Sequence, residues 1–290
     1  MSLPDALIDT LTAITGPLRA THPVGGGCIA QATFLEAERG DFFLKWGQSP
    51  VGDTFAAEAA GLNALAGAGS SLVVPSVVGI GSPLASLPGF LLLDWLVEGP
   101  SGRTASTALG RGLAEMHRAT ADRYGFDSDN FIGRLPQSNG WMARWPDFFR
   151  ERRLAPQVAM ARENGRWQSA WNAPLNSLYS RIDDLIPAHP PASLVHGDLW
   201  QGNALALADG RAALIDPAVY FGHREVDLAM SELFGRFDPG FYAAYAEAWP
   251  LEAGYPERRD LYNLYHLINH LNLFGGGYAG SVAAILRRFS

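Results

Sequence analysis

Cysteine is nearly absent from this chain, with one, Cys28, in 290 residues. An intrachain disulfide is therefore excluded, and the composition suits a reducing compartment, so the expected location is the cytoplasm. Basic charge is also short: 22 Lys and Arg stand against 29 Asp and Glu, a formal net charge of -7. That balance argues against a general binder of nucleic acid or of anionic membrane, and any phosphate binding would have to be local. No apolar run reaches the roughly 18–20 residues that a membrane span needs, and the N-terminus carries Asp5 and Asp9 where a leader would be basic. What is plentiful is core-forming material, 48% of the residues, enough for one large domain or two smaller ones.

The most informative stretch is Leu194-Val195-His196-Gly197-Asp198-Leu199-Trp200-Gln201-Gly202-Asn203, followed by Leu214-Ile215-Asp216-Pro217. Between them, Ala204–Ala208 and Arg211–Ile215 read as two short strands around an Asp209-Gly210 turn. With a two-residue loop, Ala208 faces Arg211 and Asn203 falls opposite Asp216. Directly paired residues have Cβ atoms roughly 4.5–5.5 Å apart on one face, so an amide oxygen and a carboxylate would share a divalent metal there. Asp198 precedes Asn203 by five positions. Asp-x-x-x-x-Asn with a later Asp is the order used in kinase-type phosphoryl transfer, where the first Asp accepts the acceptor hydroxyl's proton and the other two residues hold Mg²⁺ on the phosphates. Two such ligands suffice, because Mg²⁺ keeps waters and phosphate oxygens in its shell. His-Gly-Asp alone would serve equally well as an ordinary turn.

The first third of the chain reads as strands with two helices. Leu7, Ile8, Leu11 and Ile14 repeat at helical spacing up to Gly16-Pro17. Gln31–Leu35 and Phe42–Trp46 alternate as strands, preceded by the loop Val24-Gly25-Gly26-Gly27-Cys28-Ile29. Gly26 and Gly27 would let backbone N–H groups approach a phosphate, and would equally make a tight turn. Lys45 interrupts an aromatic strand on the face it shares with Phe43. Glu58 falls inside the apolar arc of Phe55, Ala59, Leu62 and Leu65 on the helix Thr54–Ala66. Each charge is costly inside an apolar stripe unless paired, so Lys45 and Glu58 are expected to meet. Val73–Pro75 and Gly89–Leu96 read as further strands, and the break at Glu98-Gly99-Pro100 places a boundary between residues 1–97 and 98–290. Beyond it the chain is mainly helical, with Leu109, Leu113 and Met116 on one face and His117 as a packed helix-end histidine. The expected fold class is α+β and bilobal, a small antiparallel sheet with a helix followed by a larger helical lobe. A nucleotide base would rest on Leu93, Asp94 and Leu96.

These motifs resemble the fructosamine kinase family, within the aminoglycoside-phosphotransferase and choline-kinase-like group of protein-kinase-like folds. The marks are Gly26-Gly27-Cys28-Ile29, Phe43-Leu44-Lys45, Glu58 to Leu62, His196-Gly197-Asp198-Leu199-Trp200 with Gly202-Asn203, and Asp216-Pro217-Ala218. To these are added Phe131-Ile132-Gly133, Gln137-Ser138-Asn139, the Trp145 to Arg153 helix, Arg224 to Ala229 and Asn269 to Gly275. They span nearly the whole chain. Where the family often has Asn and a further polar residue, this sequence has Ala30 and Gly47, both on the nucleotide side.

The resemblance implies ATP-dependent phosphorylation of a ketoamine, free or protein-bound, at the sugar's 3-hydroxyl, after which the phosphate eliminates and the amine is released. It implies Asp198 as proton acceptor, Asn203 and Asp216 as Mg²⁺ ligands, and Lys45 with Glu58 on the phosphates. Trp200 would wall the sugar or its amine, or pack in the core. Glu225, with Arg224 and Asp227, would shape the acceptor cleft or brace the catalytic loop. Two other readings remain open at this level: a kinase for another hydroxylated amine, and a nucleotide-binding module without catalysis. Oxidation joining two chains through Cys28 is a further expectation.

Overall fold

The computed structural model describes residues 3–25 and 30–289. Helix α1 (Asp5–Thr15) leads through Gly16, whose φ of +76° ends it, into β1 (Leu18–Pro23), β2 (Gln31–Ala37) and β3 (Gly40–Gly47). After α2 (Phe55–Ala66) come β4 (Val77–Gly81) and β5 (Gly89–Asp94). The strands form one antiparallel sheet in the order β1-β2-β3-β5-β4. Alternation sorts the two faces. Leu44 pairs with Leu92 and Trp46 with Phe90, and these residues close a core with Leu3, Leu7 and Leu11 from and beside α1. Phe43 pairs with Leu93 and Lys45 with Leu91, and this opposite face meets Phe55, Ala59 and Leu62 of α2. Lys45 therefore points to the α2 side because the period-2 repeat leaves it no other choice.

Two strand expectations are corrected. Val73–Pro75 forms no strand; Val73 makes a single parallel bridge to Ala213, and the strand begins at Val77. Pro75 has no N–H to donate, and the Ser76 N–H goes to the Asp94 side chain, so a ladder cannot start there. β5 stops at Asp94, short of Leu96, after the Trp95 N–H turns to the Asp41 carbonyl.

The remainder holds α3 (Arg103–Met116), β6 (Thr120–Ala121), β7 (Asn130–Ile132), β8 (Leu135–Gln137), α4 (Trp145–Phe148), a π-helical turn Phe149–Leu154, α5 (Ala155–Glu163) and α6 (Asn172–Leu185). Then come β9 (Ala192–Val195), β10 (Ala204–Ala206), β11 (Ala212–Leu214), β12 (Tyr220–His223), α7 (Glu225–Leu233), α8 (Pro239–Ala248), α9 (Tyr255–Phe274) and α10 (Ala279–Phe289). A three-stranded sheet β12-β9-β6 and the hairpins β7-β8 and β10-β11 sit among these helices. Leu109, Leu113 and Met116 of α3 are buried as their spacing predicts. Trp145, Phe148 and Phe149 pack with Tyr262 of α9 in the largest core. Among the described residues no helix is long and apolar enough to cross a membrane. A small antiparallel sheet with its helix, followed by a larger helical part carrying the β10-β11 hairpin, is the bilobal α+β layout of protein-kinase-like folds.

Candidate active site

β9 delivers the chain into His196-Gly197-Asp198. Gly197 has φ +82°, and a Cβ there would lie 2.1 Å from the Ala218 carbonyl oxygen, so only glycine fits the turn. Asp227, 1% exposed, fixes the turn from below: one carboxylate oxygen accepts the His196 N–H at 2.7 Å and the other the Gly197 N–H at 2.9 Å. It also meets His117 Nε2 at 3.1 Å. Burial pushes the Asp227 pKa up, but the His117 contact, His196 and the Gly197 N–H outweigh it and hold the group below the usual carboxylate range. His196 accepts the Asp198 N–H through Nδ1 at 3.3 Å and donates Nε2–H to the Ile215 carbonyl at 2.9 Å, a bond pattern that needs the neutral ring.

Asp198 stands at the end of this braced segment. Burial raises its pKa to about 7; the nearby Asp216 and Asp227 carboxylates add to the rise, and the Asn203 amide opposes it. Asn203 Nδ2 donates to the Asp198 main-chain carbonyl at 2.8 Å, to its carboxylate at 3.3 Å and to the Asp216 carbonyl at 3.5 Å. The three residues are thus brought together, though not by the expected pairing. The β10-β11 register is Ala204 to Leu214 and Ala206 to Ala212, and Leu207 N donates to Arg211 O. The loop has three residues, Ala208-Asp209-Gly210, with Gly210 at φ +86°. It is a turn closed by a left-handed glycine where a two-residue turn was expected. Asn203 consequently faces Ile215, whose N–H it accepts at 3.0 Å. Asp216 reaches the site because its own backbone is left-handed, φ +55°, which turns the side chain out of the strand line.

The carboxylate of Asp216 meets Lys45 Nζ at 2.5 Å, and Glu58 takes the same ammonium at 2.7 Å. Burial alone would lower the Lys45 pKa; the two carboxylates overcome it and hold the ammonium charged, above the usual lysine range. A strand, a helix and the segment after a hairpin are tied at one atom.

This triad and Asp198 line a cavity of about 780 Å³. Leu93, Asp94, Leu96, Trp200 and Asn203 line it as well, as do Val24, Gly25 and Ala30 on either side of the glycine loop. Gly26, Gly27 and Cys28, and with them the disulfide-linked dimer, lie outside the described residues. Asp94 is committed in part, accepting the Ser76 N–H at 2.5 Å. Trp200 is 39% exposed, so it lines the cavity and does not pack in the core. Glu225 is the residue that the structure places elsewhere: fully buried, it holds Arg258 through two bonds of 2.7 and 2.6 Å and is absent from the cavity wall. At the start of α7 it braces the fold, and an ion pair this enclosed has no oxygen to spare for a ligand.

Sequence reasoning assigned no site role to Asn130, Phe131, Gly133, Met230, Phe234, Asn269, His270, Leu273, Phe274 or Tyr278, all of which line the cavity. A signal was present on α9, where Asn263, His266, Asn269 and Asn272 are buried in a helix that is otherwise a core element. Buried amides without an apolar alternative mark a site or a network.

The model of the fructosamine kinase family matches residues 5–289. A protein named as a ketoamine kinase from Synechocystis is 41% identical over 274 residues, 93% of this chain and 90% of that protein. A chloroplastic protein-ribulosamine 3-kinase of Arabidopsis thaliana is 38% identical over 269 residues, 91% of this chain and 80% of that one. A crystal structure described as a fructosamine-3-kinase of Thermobifida fusca superposes with a TM-score of 0.87 at 31% identity, covering 99% of both chains. The aminoglycoside phosphotransferase APH(4)-Ia, at 18% identity and a TM-score of 0.65 over 97% of this chain, shares the fold. With a match running from α1 to α10 and the Asp198, Asn203, Asp216 and Lys45 side chains gathered in one cavity, this chain belongs to the fructosamine kinase family.

Proposed function

We propose that this protein phosphorylates the 3-hydroxyl of a ketoamine, the adduct of a reducing sugar with an amine, using ATP. The observation that carries the reading is one shared cavity in which the Asp198 carboxyl, its pKa raised by burial, stands with Asn203 and the Lys45–Asp216 pair. A carboxyl poised near neutrality accepts a hydroxyl proton at useful cost. In the transfer, the acceptor O–H bond breaks and its proton passes to the Asp198 carboxylate. The acceptor oxygen bonds the γ-phosphorus, and the bond from that phosphorus to the bridging oxygen breaks, releasing ADP. Lys45, held charged by Glu58, is the fixed cation for the phosphates. Positioning and charge neutralisation carry the rate.

Asn203 and Asp216 suit Mg²⁺: both offer hard oxygen donors, the Asn203 hydrogen bonds are made by Nδ2, and Lys45 takes one of the two Asp216 oxygens. When bound there, the ion would neutralise phosphate charge. Residues 1–97 would serve the nucleotide, against Leu93 and Leu96, and residues 98–290 the acceptor. The product 3-phosphate loses phosphate by elimination and frees the amine, which makes the reaction a deglycation. Cytoplasmic action follows from the cysteine content as an expectation of the same reading.

The test is Mg·ATP turnover against ribulosamine, fructosamine, aminoglycoside and choline acceptors, with Asp198→Asn as the paired control. Phosphate transfer to a ketoamine that the variant loses supports the reading. Transfer to aminoglycoside or choline alone overturns it.

A further inference from the structure

One part of the cavity wall owes nothing to the five-stranded sheet. It is built by Met230 and Phe234 at the end of α7, by Asn269, His270, Leu273 and Phe274 on α9, and by Tyr278 just beyond. Asn269 is 1% exposed, and its Nδ2 has no hydrogen-bond partner among the described residues. An amide N–H₂ shut away from water without an acceptor costs stability, so its retention on a cavity wall calls for an acceptor that arrives from outside. Its neighbour His270 is fixed in one tautomer. Nδ1 lies 2.8 Å from the His266 carbonyl, which can only accept, so the proton sits on Nδ1 and Nε2 offers a lone pair. Burial holds this histidine below its ordinary pKa, which keeps the ring neutral. Three rings pin the imidazole: Phe234 at 4.3 Å, Tyr278 at 5.2 Å and Phe274 at 5.4 Å between centroids. This wall and the reacting carboxylate of Asp198 line the same cavity.

We propose that Asn269 and His270 form the acceptor subsite, in which hydroxyls of the substrate's polyhydroxylated chain accept from Asn269 Nδ2 and donate to His270 Nε2. A donor and an acceptor side by side are what a sugar hydroxyl satisfies and a purely apolar amine does not. The exposed Phe274 then leaves the substituent on the amine an apolar way out of the cavity. The assignment rests on the ketoamine kinase reading for its substrate, but its geometry is independent of phosphoryl transfer.

Two variants test it, Asn269→Leu and His270→Phe, the second keeping the ring packing. With a ketoamine that the wild type phosphorylates, each lowers kcat/KM for the acceptor by about tenfold, the effect of one lost hydrogen bond with its partner left unpaired. ATP affinity, read with a fluorescent nucleotide, stays unchanged. Because Nδ2 is unpaired, Asn269→Leu also leaves the melting temperature within about 2 °C of wild type or raises it, which a structural amide would not do. Unchanged acceptor kcat/KM, or a parallel loss of ATP binding, overturns the subsite. If the wild type phosphorylates no ketoamine, the functional reading fails alone, and calorimetry with N-methylglucamine, an amino polyol lacking the ketone, decides the subsite. Binding by wild type that both variants lose supports it; no wild-type binding, or equal binding by the variants, overturns it.

Discussion

Lys45 Nζ touches two carboxylates of different provenance, Glu58 from α2 and Asp216 from the segment after β11. Replacing it removes the cation and leaves two like charges facing each other, one on the enclosed Glu58 and one on the half-exposed Asp216. Lys45→Met is therefore expected to raise the KM for ATP and to lower kcat by at least about a hundredfold, the scale of losing a fixed charge on a transferring phosphoryl group. Glu58→Gln keeps the lysine and loses one restraint on it, so its effect should fall mainly on KM for ATP and be smaller. Steady-state kinetics of the two variants, side by side, measure that order; a larger loss in Glu58→Gln than in Lys45→Met would contradict it. Asp198→Asn keeps the shape and removes the proton acceptor. A kcat reduction of about 10²–10⁴ with ATP binding retained is the expected signature.

At the scale of elements, the catalytic turn is made by one glycine and one carboxylate. Gly197→Ala forces a side chain into φ +82° with the Ala218 oxygen already in the way, and should destabilise the protein by about 2–4 kcal/mol while abolishing turnover. Asp227→Asn leaves one of the His196 and Gly197 N–H groups facing an N–H₂ in a buried place. That mismatch should cost about 1–3 kcal/mol in denaturant unfolding, with kcat falling more than KM for ATP. A variant as stable and as fast as wild type would show that the turn holds itself. The hairpin between Asn203 and Asp216 illustrates what sequence conveys about such elements. Alternation and the Asp-Gly pair announced two strands and the meeting of an amide with a carboxylate. They did not announce the register, because a one-residue difference in loop length depends on whether Ala208 pairs or turns, and alanine has no preference strong enough to decide. The left-handed Asp216 was illegible for the same reason: a non-glycine residue adopts that conformation only when its tertiary partners, here Lys45, hold it. Lys45 and Glu58 were legible because each is a charge in an apolar stripe, and Gly16-Pro17 marked the end of the first helix. Glu225 was legible only as an open choice, since an acidic residue near Asp227 at a helix start looks the same whether it faces a ligand or Arg258.

The whole molecule buries histidine on a scale that sets its response to acid. His117, His196, His223 and His266 are each fully enclosed, and burial lowers each pKa, that of His266 to about 3. Their partners are neutral or main-chain groups, Tyr245 for His117, Tyr262 for His223 and the Ile215 carbonyl for His196; among the described residues Asp227 is the one carboxylate in hydrogen-bonding contact, with Glu225 3.8 Å from His223. As pH falls through the ordinary histidine value of 6.5, the unfolded chain takes up protons that the native protein refuses, so stability falls with pH. Asp198 and Glu58 act in the opposite sense: their raised native pKa values let the folded protein hold protons that the unfolded chain releases, which stabilises it on acidification. With His270 also lowered by burial, five histidines against two carboxyls leave the first sign dominant. Unfolding free energy should drop between pH 7 and pH 5, each uncompensated histidine contributing up to about 1.4 kcal/mol per pH unit. Denaturant titrations at pH 7.5, 6.5 and 5.5 measure the slope, and His266→Leu, which removes a ring whose Nδ1 has no partner among the described residues, should flatten it while leaving stability at pH 7.5 nearly unchanged. A stability that rises toward pH 5.5 would mean that the carboxyls outweigh the histidines, and that the native state relieves its buried imidazoles by opening locally to water.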